Sequence, residues 1–75
     1  MKVVATGVFD IIHVGHAHFL NAAKEHGTEL VVIVANDDTV RRMKGEPILS
    51  DEIRAEVVSH LKPVDSVVIG RTGDM

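Results

Sequence analysis

Short runs of β-branched residues alternate along the chain with segments whose apolar residues recur at helical spacing. Residues 30–35, Leu-Val-Val-Ile-Val-Ala, form the clearest strand, because an apolar run without polar alternation is typical of a strand covered on both faces. Residues 3–5 and 67–69 are shorter runs of the same kind and predict a first and a third strand. The first of these runs stops at Gly7, where glycine permits a tight turn.

Three helices are predicted in the intervals between these strands. The first spans residues 15–26 and stops at Gly27, and the second is a short helix capped at its start by residues 36–39. The third follows the N-cap residue Ser50 and ends at Pro63. Its predicted apolar face comprises Ile53, Val57, Val58 and Leu61.

The order β-α-β-α-β predicts an α/β fold, a Rossmann-like half-domain that residues 1–75 form as a single domain. Parallel strands require crossover connections, and crossovers are right-handed. We therefore expect a three-stranded parallel sheet of strand order 3-2-1 with helices on both faces. Ligands of such sheets bind beyond the carboxyl ends of the strands, which are predicted at residues 6–16, at residues 36–44 and from Gly70 onward.

The composition restricts the classes of function. The 75 residues carry a formal net charge of −3 and contain no Cys, which excludes disulfides and cysteine-based metal centres and favours a reducing, cytoplasmic location. No apolar run approaches the roughly 20 residues that span a bilayer, so no membrane association is expected. The acidic balance and the presence of only two aromatic residues, Phe9 and Phe19, argue against nucleic-acid binding. An anionic ligand would therefore have to be held locally.

Residues 7–16, Gly-Val-Phe-Asp-Ile-Ile-His-Val-Gly-His, occupy the predicted turn from the first strand into the first helix. His13 lies just before that helix and His16 in its first turn, so both imidazoles are expected near a helix N-terminus, whose free N–H groups favour an anion. Gly15 would let a phosphate approach the backbone closely. The sequence has neither a G-x-G-x-x-G nor a G-x-x-x-x-G-K-[ST] motif, which excludes the two common Gly-rich nucleotide loops.

His-x-Gly-His following Gly-x-Phe-Asp after a first strand resembles the signature of the HxGH nucleotidyltransferase superfamily, which includes the cytidylyltransferases. Within that superfamily the chain is most similar to the archaeal FAD synthase (FMN adenylyltransferase) group, through residues 5–10, 30–38, 62–65 and 73–75 in that order. The resemblance covers essentially the whole chain and corresponds to the N-terminal half of the family's fold.

The resemblance implies transfer of AMP from ATP to FMN, giving FAD and pyrophosphate, with Mg²⁺ or a similar divalent cation. It implies that His13, His16 and Lys44 carry catalysis, by stabilising negative charge on the phosphates. The nucleotide- and phosphate-binding residues that it implies are Thr6, Gly7, Val8, Phe9, Asp10, Gly15 and Arg54. No metal-ligating set of protein side chains is expected.

Alternative interpretations remain for the reaction and for single residues. A cytidylyltransferase that uses CTP and a phosphorylated alcohol, or a half-domain that binds nucleotide with little catalysis, would share the first motif. His13 and His16 could join His18 in a transition-metal site or simply begin a helix. Asp10 could cap a loop through backbone N–H groups, and Arg54 could pair with the acidic residues at the start of its own helix.

Charged residues outside the motif also have structural and functional interpretations. Residues 41–44, Arg-Arg-Met-Lys, form either a solvated basic face or a phosphate contact. Asp37 follows the second strand and could organise the histidines, substrate hydroxyls or a metal. Asp65, at the start of the third strand, is expected to be structural.

In the family, the sheet continues with a fourth and a fifth strand and a second motif rich in Ser and Thr, and this sequence contains none of these. We therefore expect a half-domain truncated after the third strand. In a sheet of order 3-2-1, residues 2–5 would then form an exposed apolar edge, and exposed edges recruit partners. The expected partner is a second copy of the chain, in a homodimer formed through or near strand 1.

Overall fold

Strands and helices follow one another in the order that the sequence pattern predicts. The structure is a computed structural model, and it describes residues 1–10, 12 and 14–70. The elements are β1 (Lys2–Gly7), α1 (Val14–Lys24), β2 (Glu29–Val34), α2 (Asp37–Met43), α3 (Asp51–Ser59) and β3 (Ser66–Ile69). Of the predicted segment from Gly70 onward, only Gly70 lies within the described residues. No helix in the described part of the chain is long and apolar enough to cross a membrane.

The three strands form one parallel sheet with β2 in the middle. The register places Ala5 of β1 beside Val32 of β2, and Val32 beside Val67 of β3. The neighbour order β1-β2-β3 is the predicted order 3-2-1 written from the other edge, so the α/β class, the parallel pairing and the strand order are confirmed. The carboxyl ends of all three strands therefore lie along one edge of the sheet, as expected for a ligand site.

The core lies on one face of this sheet. Leu20 of α1 and Val58 of α3 are fully buried and pack in one cluster with alternate residues of β2, which are Leu30, Val32 and Val34. Both of these helices therefore cover the same face, and the expectation of helices on both faces is corrected in this respect. The physical reason is that two right-handed crossovers that advance in the same direction place both helices on one side.

The opposite face of the sheet is less covered within the described residues. Val31 and Ile33 of β2 are partly exposed there, and Val4 and Val68 on the outer strands are 53% and 50% exposed. The uninterrupted apolar run of β2 predicts cover on both faces. This prediction fails because an apolar run does not show which of its alternating residues are buried. Burial alternates along β2 in the structure.

The helix starts match the capping residues expected from the sequence. Asn36 is the N-cap of α2, where its Oδ1 accepts the N–H of Thr39 at 2.8 Å and its Nδ2 donates to the Gly70 carbonyl at 2.6 Å. Ser50 is the N-cap of α3, and its Oγ accepts the N–H of Ile53 at 3.3 Å. Each side chain satisfies an N–H group that a helix start leaves without an intrahelical partner.

Helix α3 differs from its prediction at its end and on its buried side. It ends at Ser59, where the backbone changes to hydrogen bonds between residues three apart, well before Pro63. Its fully buried residues are Arg54 and Val58, whereas Ile53 and Val57 of the predicted apolar face are 50% and 38% exposed. The buried stripe of this helix therefore centres on a charged residue, which apolar periodicity does not reveal.

One ion pair connects helix and strand ends at the edge of the sheet opposite the ligand edge. The ammonium of Lys24 at the end of α1 pairs with the carboxylate of Asp65, and the same carboxylate accepts the N–H of Leu30 at 2.7 Å. These two contacts, the Lys24 hydrogen bond first, lower the pKa of Asp65. Asp65 thus joins α1, β2 and the start of β3, in agreement with the structural role expected for it.

We expect Asp65→Asn to lower the free energy of unfolding near neutral pH and to lose this effect in acid. The pKa of Asp65 is lower in the folded chain than its ordinary value of 3.8, so folding favours the ionised carboxylate. This stabilisation is present above about pH 5 and is lost as the pH falls through the folded-state pKa. Urea denaturation of both proteins between about pH 7 and about pH 3 measures the difference.

The matched control is Glu56→Gln, which neutralises an exposed carboxylate of α3. A difference between wild type and Asp65→Asn that stays constant over the pH range would contradict the assignment. So would an equal pH dependence in the Glu56→Gln protein.

Candidate functional site

A cavity lies at the carboxyl edge of the sheet, between the loop that follows β1 and the end of α2. Its volume is about 420 Å³. Its lining residues are Val8, Phe9, Asp10, His16, Val40, Lys44, Gly45 and Glu46. The position agrees with the rule that ligands of open parallel sheets bind beyond the strand carboxyl ends. This cavity is the candidate functional site.

Phe9 lies in the loop after β1, which forms one wall of the cavity. Its backbone is left-handed, with φ 55°, an unusual conformation for a residue with a bulky side chain, and its ring is buried at 4% exposure. The ring lies against Gly7, where an added Cβ would be 2.6 Å from the Phe9 Cε2 atom. The ring also contacts the imidazole of His16, with centroids 5.4 Å apart and planes tilted by 55°. Phe9 therefore holds the His16 ring at the cavity.

His16 is the third residue of α1, in the first turn of that helix, and it lines the cavity. Gly15 precedes it in the first turn and is exposed. His13, the other predicted catalytic histidine, lies outside the described residues. The structure thus places one histidine of the motif at the cavity, beside a helix start that favours anions.

Asp10 attaches the loop after β1 to the segment that precedes α3. Its two carboxylate oxygens accept the backbone N–H groups of Ile48 and Leu49, each at 2.8 Å. The hydrogen bond from Ile48, followed by that from Leu49, lowers the pKa of Asp10, so the carboxylate is ionised at neutral pH. The loop-capping interpretation of Asp10 is the one that the geometry supports.

Arg54 lies beneath the site and is fully buried, with 0% of its surface exposed. Its Nη1 donates to the carbonyls of Val8 and Ala35 at 2.8 Å and 2.6 Å, and its Nε donates to that of Leu49 at 3.0 Å. Its Nη2 lies 2.7 Å from Oδ1 of Asp37, which forms the ion pair. The guanidinium thus joins two segments that follow strands to a third segment that precedes α3.

The acidic partner of Arg54 was not predicted. The sequence suggested the carboxylates at the start of α3, but the structure uses Asp37, the first residue of α2. Asp51 of α3 instead accepts the N–H of Asp37 at 3.0 Å. Asp37 is therefore held in place by α3 while its side chain neutralises the buried guanidinium.

Lys44 supplies positive charge to the second wall of the cavity. It is the exposed C-cap residue of α2, followed by Gly45 with φ 109°. Arg41, one turn earlier, is neutralised by Glu46, with Nε 3.1 Å from Oε1, and by Asp38. The hydrogen bond to Glu46 raises the pKa of Arg41. The basic segment thus divides into an arginine in surface ion pairs and a lysine at the cavity.

Nine of the ten predicted site residues are described, and the structure brings five of them to one cavity. Val8, Phe9, Asp10, His16 and Lys44 line one cavity. Gly7 lies under the Phe9 ring, Gly15 is exposed on α1, Arg54 is buried, and Thr6 lines a different cavity beside Phe19. Sequence reasoning missed Val40, Gly45 and Glu46 as lining residues. Only Gly45 carries a signal, because glycine after a helix is typical of a helix end.

Among residues 1–10, 12 and 14–70, no three His, Cys, Asp or Glu side chains converge to hold an ion. His18 is exposed on α1, two residues beyond His16. The histidine-metal alternative also involves His13, which lies outside the described residues.

Comparison with known proteins gives consistent matches. The sequence profile of the cytidylyltransferase-like family matches residues 4–75. Proteins named FAD synthase from Pyrococcus horikoshii and Thermococcus sibiricus are 55% identical over 76 residues and 63% identical over 71 residues. These matches cover 100% and 93% of this chain but 51% and 48% of the relatives, so the chain spans about half the length of the curated relatives it matches.

A solved structure shows the same fold. The crystal structure of a protein described as a lipopolysaccharide core biosynthesis protein, from Thermoplasma volcanium, is 48% identical and has a TM-score of 0.96. The match covers 100% of this chain and 62% of that chain.

We expect Gly7→Ala to destabilise the chain and to move the His16 ring. The added methyl group would overlap the Phe9 ring, and overpacking of this kind costs about 1–3 kcal/mol. Urea denaturation measures the loss of unfolding free energy, and the chemical shifts of the His16 ring protons report the position of the Phe9 ring. Thr6→Ala, a change at the exposed neighbouring residue, is the control. Equal stabilities and unchanged His16 shifts in the two variants would contradict the packing argument.

Proposed function

The chain belongs to the cytidylyltransferase-like family, and we propose that it provides the nucleotide-phosphate site of an enzyme that transfers AMP from ATP to FMN. The observation that carries the proposal is the cavity that brings His16, the start of α1 and Lys44 together at the carboxyl edge of the sheet. Relatives named FAD synthase match the whole or nearly the whole of this chain, which supports ATP and FMN as the substrates.

In the proposed reaction, a phosphate oxygen of FMN attacks the α-phosphorus of ATP. The new P–O bond forms as the bond to the β-phosphate oxygen breaks, and pyrophosphate leaves with the bonding electron pair. No covalent enzyme intermediate is needed, so the enzyme contributes positioning and charge stabilisation. The imidazole of His16 would donate to phosphate oxygens, and the ammonium of Lys44 would approach them from the other wall.

The described residues suit a divalent cation that arrives with the nucleotide. They contain no protein-only metal site, and Mg²⁺ at nucleotide sites is commonly held by substrate phosphates, waters and one or two carboxylates. Asp10 and Glu46 both place carboxylates at the cavity. Glu46 is paired with Arg41, so Asp10, which keeps its contacts with two backbone N–H groups, is the carboxylate that would face such an ion. When bound, Mg²⁺ would supply positive charge to the phosphates.

The family also supports a second candidate reaction, cytidylyl transfer from CTP to a phosphorylated alcohol. Both reactions use the same phosphate chemistry, so the residues around this cavity do not separate them. The third candidate is nucleotide binding with little catalysis. We favour the FMN reaction because of the relatives named FAD synthase. Because ATP and FMN are intracellular cofactors, we also propose a cytoplasmic location.

We further propose that two copies of the chain associate near β1. Within the described residues β1 pairs with β2 alone, which leaves its other edge open. Beside this edge lies a second cavity of about 480 Å³ where Val4 and Phe19 are 53% and 51% exposed. An open strand edge with adjacent apolar side chains is a surface that favours pairing with another chain.

For the reaction, we expect His16→Ala to reduce FAD formation by about 100- to 1,000-fold, the usual effect of removing a positioned donor to developing charge. The measurement is FAD and pyrophosphate formation by the chain with ATP, FMN and Mg²⁺. His18→Ala is the matched control, because it removes an exposed histidine two residues further along α1. Equal turnover in the wild-type and His16→Ala proteins would contradict the catalytic assignment.

Parallel assays separate the candidate functions. Product formation from CTP and glycerol 3-phosphate, without FAD formation from ATP and FMN, would favour the cytidylyltransferase. ATP binding without any product would favour the binding half-domain.

For the association, we expect light scattering after size exclusion to give the mass of two chains at micromolar concentration. Val4→Lys should yield the mass of one chain, because it places a charge on the proposed contact. Ile53→Lys, at a 50% exposed position on α3, is the control and should remain dimeric. A monomeric wild-type chain, or equal dissociation by both substitutions, would refute this interface.

A further inference from the structure

We propose that Arg54 is a positioning residue that sets the spacing between the two walls of the nucleotide cavity without contacting the ligand. The first wall comprises residues 8–10 and His16, and the second comprises residues 44–46. The inference rests on the proposed function, because it concerns the same cavity. It replaces the role implied by the family resemblance, in which this arginine would contact the nucleotide or phosphate.

The guanidinium of Arg54 joins three separate backbone segments. Its three carbonyl partners belong to Val8 after β1, Ala35 after β2 and Leu49 before α3. The guanidinium presents five N–H donors in a rigid planar arrangement, and few other side chains can bind three carbonyls and a carboxylate at once. Arg54 therefore fixes these three backbone segments relative to one another.

Leu49 is held at both of its backbone polar groups. Its N–H donates to Asp10 at 2.8 Å, and its carbonyl accepts from Arg54 at 3.0 Å. Both of these partners also connect to the first wall, since Asp10 is part of it and Arg54 binds the carbonyl of Val8. The loop that leads back from Leu49 to Lys44 is thereby attached to the wall that holds His16.

The positive charge of the buried guanidinium is balanced by a carboxylate. A buried cation is expensive unless it is paired, and Asp37 provides the pair at 2.7 Å. Arg54 itself is 0% exposed and is absent from the cavity lining, so a ligand in the cavity would not reach the guanidinium in this structure. Its influence on the ligand would pass through the positions of the walls.

The test uses Arg54→Lys, which keeps the charge but cannot reproduce four hydrogen bonds in this planar geometry. We expect about tenfold or greater loss of ATP affinity, since small displacements of positioning groups have effects of this size or larger. We also expect faster amide hydrogen exchange at Ile48 and Leu49, whose N–H groups bind Asp10. Calorimetry measures the affinity, and NMR measures the exchange.

The matched control is Val58→Ala, one turn further along the same helix and also fully buried. It should destabilise the fold while leaving ATP affinity and the exchange of these two amides close to wild type. If Arg54→Lys does not fold, Asp37→Asn replaces it. That variant removes the charge partner of the guanidinium and should produce both effects in the same direction.

Several results would overturn the proposal. Weaker ATP binding with unchanged Ile48 and Leu49 amides would place the guanidinium on the ligand. Unchanged ATP affinity in Arg54→Lys would show that the cavity does not depend on it, and equal effects in Val58→Ala would reduce its role to general stability. Failure of the wild-type chain to bind ATP would refute the proposed function, and the amide exchange would then decide the positioning role alone: faster exchange supports it and unchanged exchange overturns it.

Discussion

The buried guanidinium of Arg54 is the constraint on which the arrangement of the cavity depends. Parallel strands end at one edge of a sheet, so the segments that follow them begin close together there. Here one planar cation binds carbonyls after β1 and after β2 and another before α3, and Asp37 balances its charge. Because a buried cation and its partners are costly to separate, these segments are expected to move together.

The second constraint is electrostatic. The chain has a net charge of −3, yet the cavity combines the start of α1, His16 and Lys44. Ion pairs with Glu46 and Asp38 neutralise Arg41, whereas Lys44 extends from the end of α2 at the cavity. Asp10 adds negative charge at the same place, which a divalent cation carried by a nucleotide would balance. A local site for phosphates is therefore compatible with an acidic protein.

Much of the fold could be predicted from the sequence, because β-branched runs, caps and crossover handedness act locally. Residues 30–35 identified β2, and Asn36 and Ser50 identified two helix starts. The buried side of the sheet could not be predicted from an uninterrupted apolar run. Apolar periodicity also could not predict the buried stripe of α3, because that stripe includes Arg54, whereas Ile53 is half exposed.

The candidate site was predicted to the extent that it lies in one continuous motif. Phe9, Asp10 and His16 follow one strand, so their proximity follows from the chain itself. The contacts of Asp10 with Ile48 and Leu49 join residues 38 and 39 positions apart, and no local pattern indicates them.

In the proposed site, nucleotide phosphates bind between the wall containing His16 and the wall containing Lys44. An NMR titration of the ¹⁵N-labelled chain with ATP and Mg²⁺ tests it most directly. We expect saturable shifts at residues 8–10, at His16 and at residues 44–46, with little change at Thr6 and Phe19 in the second cavity. Shifts concentrated at Thr6 and Phe19, or no saturable shifts at all, would contradict it.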